Sequence, residues 1–231
     1  MPSDGKMIEI ARPDGATLPA YLATPESGDR APSVVLIQEW WGLNEQMKAT
    51  ADRLAQAGYR ALVPDLYRGK VAADGDEANH LMTDLDWSQA CTQDIKGAVA
   101  YLKELGAKVA VLGFCMGGAL TILSAVHLPE VDAAVCFYGI PPADAADPGK
   151  IGAPFLAHFA VHDDWCTPAA VNGLEATLKA AEVPHTIYRY DAKHAFFNEM
   201  RPEVYDPESA DQAWQRSLDF LAAHLDVHAA S

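Results

Sequence analysis

Six residues near the middle of the chain, Gly113-Phe114-Cys115-Met116-Gly117-Gly118, set a nucleophile among small neighbours at the spacing of a sharp strand-to-helix turn. Val109–Leu112 reads as a buried strand and Gly117–Leu123 as a helix start, so Gly-x-Cys-x-Gly-Gly has the form of a nucleophile elbow with cysteine in the serine position. Side chains at positions 113 and 117 would collide with the adjoining strand and helix. The turn lifts the Cys115 sulfur above the sheet edge, at a helix N-terminus whose partial positive charge favours a thiolate. A glycine-rich turn around an ordinary buried cysteine would share this pattern, so the chemistry depends on what other strands deliver beside it.

In open α/β sheets, chemistry collects at the carboxyl ends of the strands. There the sequence offers Glu39 after Ser33–Gln38, the Asp163-Asp164 pair after Phe155–Val161, and His194 in the loop Asp191–Phe196. A histidine must accept the thiol proton, and a carboxylate must fix its second nitrogen in the right tautomer. Nucleophile, acid, histidine is the chain order of the α/β-hydrolases. His80, His127, His185, His224 and His228 lack such placement and read as surface groups, and His158 as a satisfied core group. His162 beside two aspartates suggests a metal, but a second spaced ligand cluster is missing, so no metal is expected.

The elements that must position these groups follow from punctuation and periodicity. Lys6–Arg12 and Ala16–Thr24 form a hairpin around Pro13-Asp14-Gly15, and Pro25–Pro32 is a loop. Ser33–Gln38 is an apolar strand of the parallel type, Asn44 opens a helix to Ala57, and Tyr59–Val63 is the next strand. Residues 66–85, with a short helix near Glu77–Thr83, leave the alternation as a possible partial lid. Asp86–Leu105 is one long helix. After the elbow come strands Ala133–Gly139 and Ala153–Val161, helix Ala169–Ala181, strand Thr186–Tyr190 and helix Ser209–Leu225. The prediction is a single α/β domain over residues 1–231: a doubly wound, mostly parallel sheet with an N-terminal hairpin and helices on both faces.

Composition narrows the function. Half of the 231 residues are hydrophobic, enough for a sizeable core, and a formal charge of −15 argues against nucleic acid or an anionic membrane surface. Cys91, Cys115, Cys136 and Cys166 show no Cys-x-x-Cys spacing, which fits a reducing compartment. The stretch Met1–Lys6 does not read as a signal peptide, and no apolar run approaches a membrane span, so a cytoplasmic location is expected.

Five segments together carry a family resemblance: Gln38-Glu39-Trp40-Trp41-Gly42, the cysteine elbow, Phe137-Tyr138-Gly139, Asp163-Asp164-Trp165 with Pro168, and His194-Ala195-Phe196. In this order the chain resembles the dienelactone hydrolases (carboxymethylenebutenolidases) of the α/β-hydrolase superfamily. The resemblance implies a Cys115–Asp163–His194 triad acting on a small lactone or ester, in a monomer or homodimer, with no cofactor. It implies that Glu39 is a gate that holds the resting thiol and takes up its proton, and that the backbone N–H groups of Trp40 and Met116 form an oxyanion hole. Trp41, Tyr138, Phe196, Asn198 and His80 would then contact substrate.

Two departures from that pattern matter. Cys166 stands between Trp165 and Thr167. Counting back from Pro168 therefore selects Asp164 and counting forward from the strand selects Asp163, which is taken as the acid. Where dienelactone-cleaving members hold a substrate carboxylate with arginines, this chain has Asn79-His80 and Asn198, so neutral substrates are expected to be preferred. Two other readings stand beside this one. A cysteine-elbow enzyme of the glutamine-amidotransferase-like superfamily would use His127, soon after the elbow. A non-catalytic binding protein on a hydrolase scaffold would have no use for an intact triad.

Overall fold

The computed structural model of the protein describes residues 5–26, 31–106 and 108–225. Part of the expected 25–32 loop, most of the Met1–Lys6 stretch and His228 lie outside them. Eight strands form one sheet: β1 (Lys6–Ala11), β2 (Thr17–Ala23), β3 (Ser33–Ile37), β4 (Arg60–Pro64), β5 (Val109–Phe114), β6 (Ala133–Phe137), β7 (Phe155–His162) and β8 (His185–Lys193). Their spatial order is β1-β2-β4-β3-β5-β6-β7-β8. The hairpin β1–β2 joins antiparallel to β4, and all later pairs are parallel. β3 to β6 are buried at every position, because helices cover both faces and each side chain, inward or outward, meets apolar cover.

The helices are α1 (Glu45–Gln56), α2 (Gly75–Asp84), α3 (Trp87–Gln89), α4 (Lys96–Glu104), α5 (Met116–His127), α6 (Pro168–Ala180) and α7 (Pro207–His224). Their starts follow capping chemistry: Asn44, Asp74, Thr167 and Asp206 each accept a backbone N–H of the first turn. The long helix expected over Asp86–Leu105 is not regular. Between α3 and α4, Ala90–Ile95 is π-helical. The wider turn keeps Asp94 on the guanidinium groups of Arg12 and Arg68 while Ile95, Val99 and Leu102 stay in the core. β7 and β8 run further than expected. Beyond an irregularity at Ala160–His162, His162 pairs with Lys193, so the residues that follow, Asp163 and His194, emerge side by side. No described helix is long and apolar enough to cross a membrane.

Candidate active site

The elbow is built by close approach of backbone to backbone. A Cβ on Gly113 would lie 2.1 Å from the Gly117 carbonyl oxygen, and one on Gly117 would lie 2.3 Å from that of Ile37. A Cβ on Gly139 would lie 2.3 Å from the Cys115 carbonyl oxygen, so the glycine after β6 is as necessary as those of the elbow itself. Cys115 is held at φ 54°, a conformation non-glycine residues rarely adopt, and its N–H is anchored to the Phe137 carbonyl at 3.0 Å. Tyr138 (φ 37°) and Ala195 (φ 62°) share this strain. All three residues line one cavity, which marks the place where the fold tolerates backbone strain for position.

Five strands deliver side chains or turns to that cavity. The His194 Nε2 lies 3.2 Å from the Cys115 Sγ, and its Nδ1 lies 2.7 Å from the Asp163 Oδ2. The other Asp163 oxygen accepts the backbone N–H groups of Trp165 and Cys166 at 2.7 and 2.9 Å, which folds the inserted Cys166 into the turn and fixes the carboxylate. Burial by itself would raise the Asp163 pKa, but the bonds from His194 and these N–H groups hold it below the ordinary range. Burial likewise opposes a charged His194 ring. The neighbouring Asp163 and Cys115 outweigh it and push the histidine up to about 10. Asp164, the competing acid, is exposed.

Glu39 is fully enclosed beside this pair. Its Oε1 accepts the Tyr138 hydroxyl at 3.2 Å and its Oε2 accepts the Asn198 amide at 2.6 Å. Burial raises its pKa, against smaller opposing pulls from Asn198, His194, Tyr138 and Arg201. The gate geometry expected for Glu39, a bond to the resting thiol, is replaced here by these two bonds, while Cys115 faces His194. The N–H of Trp40 donates to nothing among the described residues, and Met116 occupies the first position of α5, where no preceding carbonyl is in reach. Both N–H groups are therefore available to an oxyanion.

The cavity measures about 360 Å³ and its wall is mainly apolar. Trp41 and Tyr138, two of the residues expected at the substrate, line it. Three other residues expected at the substrate do not. Phe196 is buried against Tyr138 and Tyr190, because the left-handed turn at Ala195 sends the next side chain inward. Asn198 is buried on Glu39, its amide orientation fixed by the Met200 N–H on its oxygen. His80 is exposed on α2 and is absent from the wall; the 66–85 segment contributes Met82 instead. Trp87, Ile140, Trp165 and Cys166 also line the cavity; the expected lid covers Met82 but stops short of Trp87, and no motif marked Trp87 or Ile140. Arg201 reaches the wall too.

Two rival placements are not realised. His127 ends α5, twelve residues from the elbow and exposed, so it cannot serve Cys115. His162 pairs with Asp191 at the surface, and no group of three potential metal ligands occurs among the described residues. His158 is enclosed between the Tyr190 and Ser217 hydroxyls, in keeping with a core role.

The comparisons with known proteins agree with this architecture. The sequence profile of the dienelactone hydrolase family matches residues 18–225. The chain is 36% identical over 232 residues to a protein of Aquifex pyrophilus named usf, covering 96% of this chain and 99% of that one. It is 32% identical, with the same coverage, to a provisionally named carboxymethylenebutenolidase of Aquifex aeolicus. A crystal structure of a provisionally named dienelactone hydrolase from Klebsiella pneumoniae superposes with a TM-score of 0.84 at 30% identity, over 95% of this chain and 99% of its own. The chain thus belongs to the dienelactone hydrolase family and is an α/β-hydrolase-fold enzyme of the carboxylic ester hydrolase type.

Proposed function

We propose that the protein hydrolyses a lactone or small carboxylic ester through a cysteinyl acyl-enzyme, with Cys115, His194 and Asp163 as nucleophile, base and orienting acid. The observation that carries this reading is the continuous relay from the Cys115 Sγ through both His194 nitrogens to Asp163, at 3.2 and 2.7 Å. The sulfur attacks the carbonyl carbon, forming the C–S bond, and the carbonyl π pair moves to the oxygen. That oxyanion is received by the N–H groups of Trp40 and Met116. Its collapse breaks the C–O bond, and the leaving oxygen takes the proton from the His194 imidazolium. Water then attacks the thioester as His194 accepts its proton. The second collapse releases the acid and returns sulfur and imidazolium to their starting pairing. In a lactone the leaving oxygen stays attached to the acyl group, so one product results instead of two.

The test is ester turnover with chemical labelling. Cys115→Ala is expected to remove hydrolysis, and iodoacetamide is expected to modify Cys115 first. Cys91, Cys136 and Cys166 are buried, and burial raises the pKa of each, that of Cys136 to about 12, so they present little thiolate. Turnover that persists in Cys115→Ala would overturn the assignment.

A further inference from the structure

The residues that line the cavity differ in what they offer a substrate. Trp40 packs edge-on against both Trp41 and Trp165, with ring centroids 5.2 and 6.0 Å apart, so three indoles form a chain in the lining. Trp87 lines the same cavity. Its indole N–H is directed at the Met82 carbonyl at 3.4 Å, which occupies the donor within the wall. Trp165 lines the cavity while 66% exposed, so much of its ring is open to a substrate. Polar anchors are scarce. Beside the His194 imidazolium, which is paired with Asp163, the lining carries Arg201, whose Nε and Nη2 both lie 2.8 Å from the Glu203 Oε1, so its charge is already compensated. Asn198 is committed to Glu39, and the carboxyl of Glu39 offers nothing to an anion.

Resting on the hydrolase reading above, we propose that the substrate is an uncharged ester or lactone carrying a flat aromatic ring, which the Trp40–Trp41–Trp165 chain and Trp87 receive while the ester carbonyl sits over Cys115. Offset and edge-to-face contacts with such rings contribute beyond simple burial, whereas an aliphatic group of equal hydrophobicity gains only the burial. The volume, near the lower end of the roughly 300–1,000 Å³ typical of small-molecule sites, holds one ring with a short acyl or alkoxy arm and excludes a long acyl chain.

The experiment compares kcat/KM for pairs matched in hydrophobicity, each normalised to its rate with hydroxide: benzyl acetate with n-butyl acetate, and methyl phenylacetate with methyl pentanoate. At least one pair is expected to favour the ring by about tenfold. That ratio is expected to fall to about threefold or less in Trp165→Leu, which keeps an apolar group and the backbone N–H on Asp163 but removes the ring. A second pair, 4-carbamoylbenzyl and 4-carboxybenzyl acetate, is expected to favour the neutral member by about tenfold, with the ratio unaltered in Arg201→Gln. Equal rates for ring and chain in both pairs would overturn the aromatic assignment. A preference for the carboxylate that vanishes in Arg201→Gln would overturn the neutral one and make Arg201 an anion anchor. If the wild-type chain turns over none of these esters, or Cys115→Ala turns them over as well as wild type, the hydrolase reading itself fails and takes this proposal with it.

Discussion

His158 and His194 arise from neighbouring strands, β7 and β8, and meet opposite fates. His158 is wholly buried between two hydroxyls, those of Tyr190 at 2.8 Å and Ser217 at 3.0 Å. Burial, with the Arg216 charge nearby, pushes its pKa down to about 3. His194 is also largely enclosed, yet a carboxylate and a sulfur at its two nitrogens drive it the other way, to about 10. Depth does not separate them; the partner's ability to answer a positive charge does. The carboxylates repeat the contrast. Asp163 faces an imidazolium and two backbone N–H groups and is held low, whereas Glu39 faces neutral donors in its two bonds and is raised. A hydroxyl or amide satisfies a buried polar group without fixing its charge. A buried histidine held neutral and one held charged are told apart by that difference.

The largest effect should come from removing the group that makes His194 unlike His158. Asp163→Asn keeps the shape but presents an amide to the ring. Loss of the orienting acid costs about 10⁴-fold in kcat in comparable triads. Asp164→Asn, changing an exposed neighbour, is expected to stay within about twofold of wild type, as measured by steady-state ester hydrolysis. Comparable losses in both would mean that the loop, rather than one carboxylate, is being read.

Next in size is a difference in how stability depends on pH. Between about pH 3 and 6.5 the unfolded chain binds a proton on His158 that the folded chain does not, so this residue removes stability as pH falls through that window. The shift corresponds to about 3 kcal/mol between pH 6.5 and pH 4. For His194 the sign is reversed: the folded chain holds the extra proton, so stability is full below about 6.5 and declines as pH rises towards 10. Urea unfolding from pH 4 to 9 is expected to show His158→Gln less stable at neutrality but flatter on the acid side. Asp163→Asn is expected to flatten the alkaline side only. An acid limb unchanged in His158→Gln would show that other groups carry it.

The elbow could be read from the sequence because its glycines are imposed by contact: no side chain fits 2.1 Å from the Gly117 carbonyl, so spacing alone betrays the turn. Strand ends were legible for a similar reason, since buried parallel strands are unbroken apolar runs and the first polar residue beyond each marks the sheet's edge. Glu39 and Asp163 lie just beyond such strands, β3 and β7; His194 follows β8, a half-exposed strand with many polar residues, and was placed by the chain order of nucleophile, acid and histidine. What spacing does not encode is the hand of a turn. The positive φ at Ala195 sends Phe196 into the core and, three residues on, brings Asn198 to Glu39, so two residues expected at the substrate lie off the cavity wall. The π-helical turn at Ala90–Ile95 was hidden for a related reason, because an extra residue in one turn barely alters apolar periodicity. Trp87, read as part of one long helix, reaches the cavity wall from the start of α3, which no local pattern announces.

The smallest expected effects probe the other half of the contrast, Glu39. Its two partners treat its protonation states differently. Asn198 donates in either state, because its oxygen is already engaged by the Met200 N–H. The Tyr138 hydroxyl can donate to a carboxylate or accept from a carboxylic acid. Glu39→Gln therefore reproduces the hydrogen bonding of the acid form, with the amide nitrogen towards Tyr138 and the oxygen towards Asn198, and is expected to keep the fold. If Glu39 moves a proton during acylation, the variant slows that step and loses one limb of the kcat/KM–pH profile. Asn198→Ala acts more gently. The Asn198 bond pulls the Glu39 pKa down, so its loss is expected to move the same limb to higher pH without abolishing it. A bond to a neutral acid contributes about 1 kcal/mol and one to a carboxylate about 1.5–3 kcal/mol, roughly 5-fold against 10- to 150-fold in rate. The size of the Asn198→Ala loss at pH 7 thus reports which form works. Combining the two changes closes the cycle. In the Glu39→Gln background Asn198→Ala is expected to leave the pH profile where it is, and a limb that still moved would assign it to a group other than Glu39.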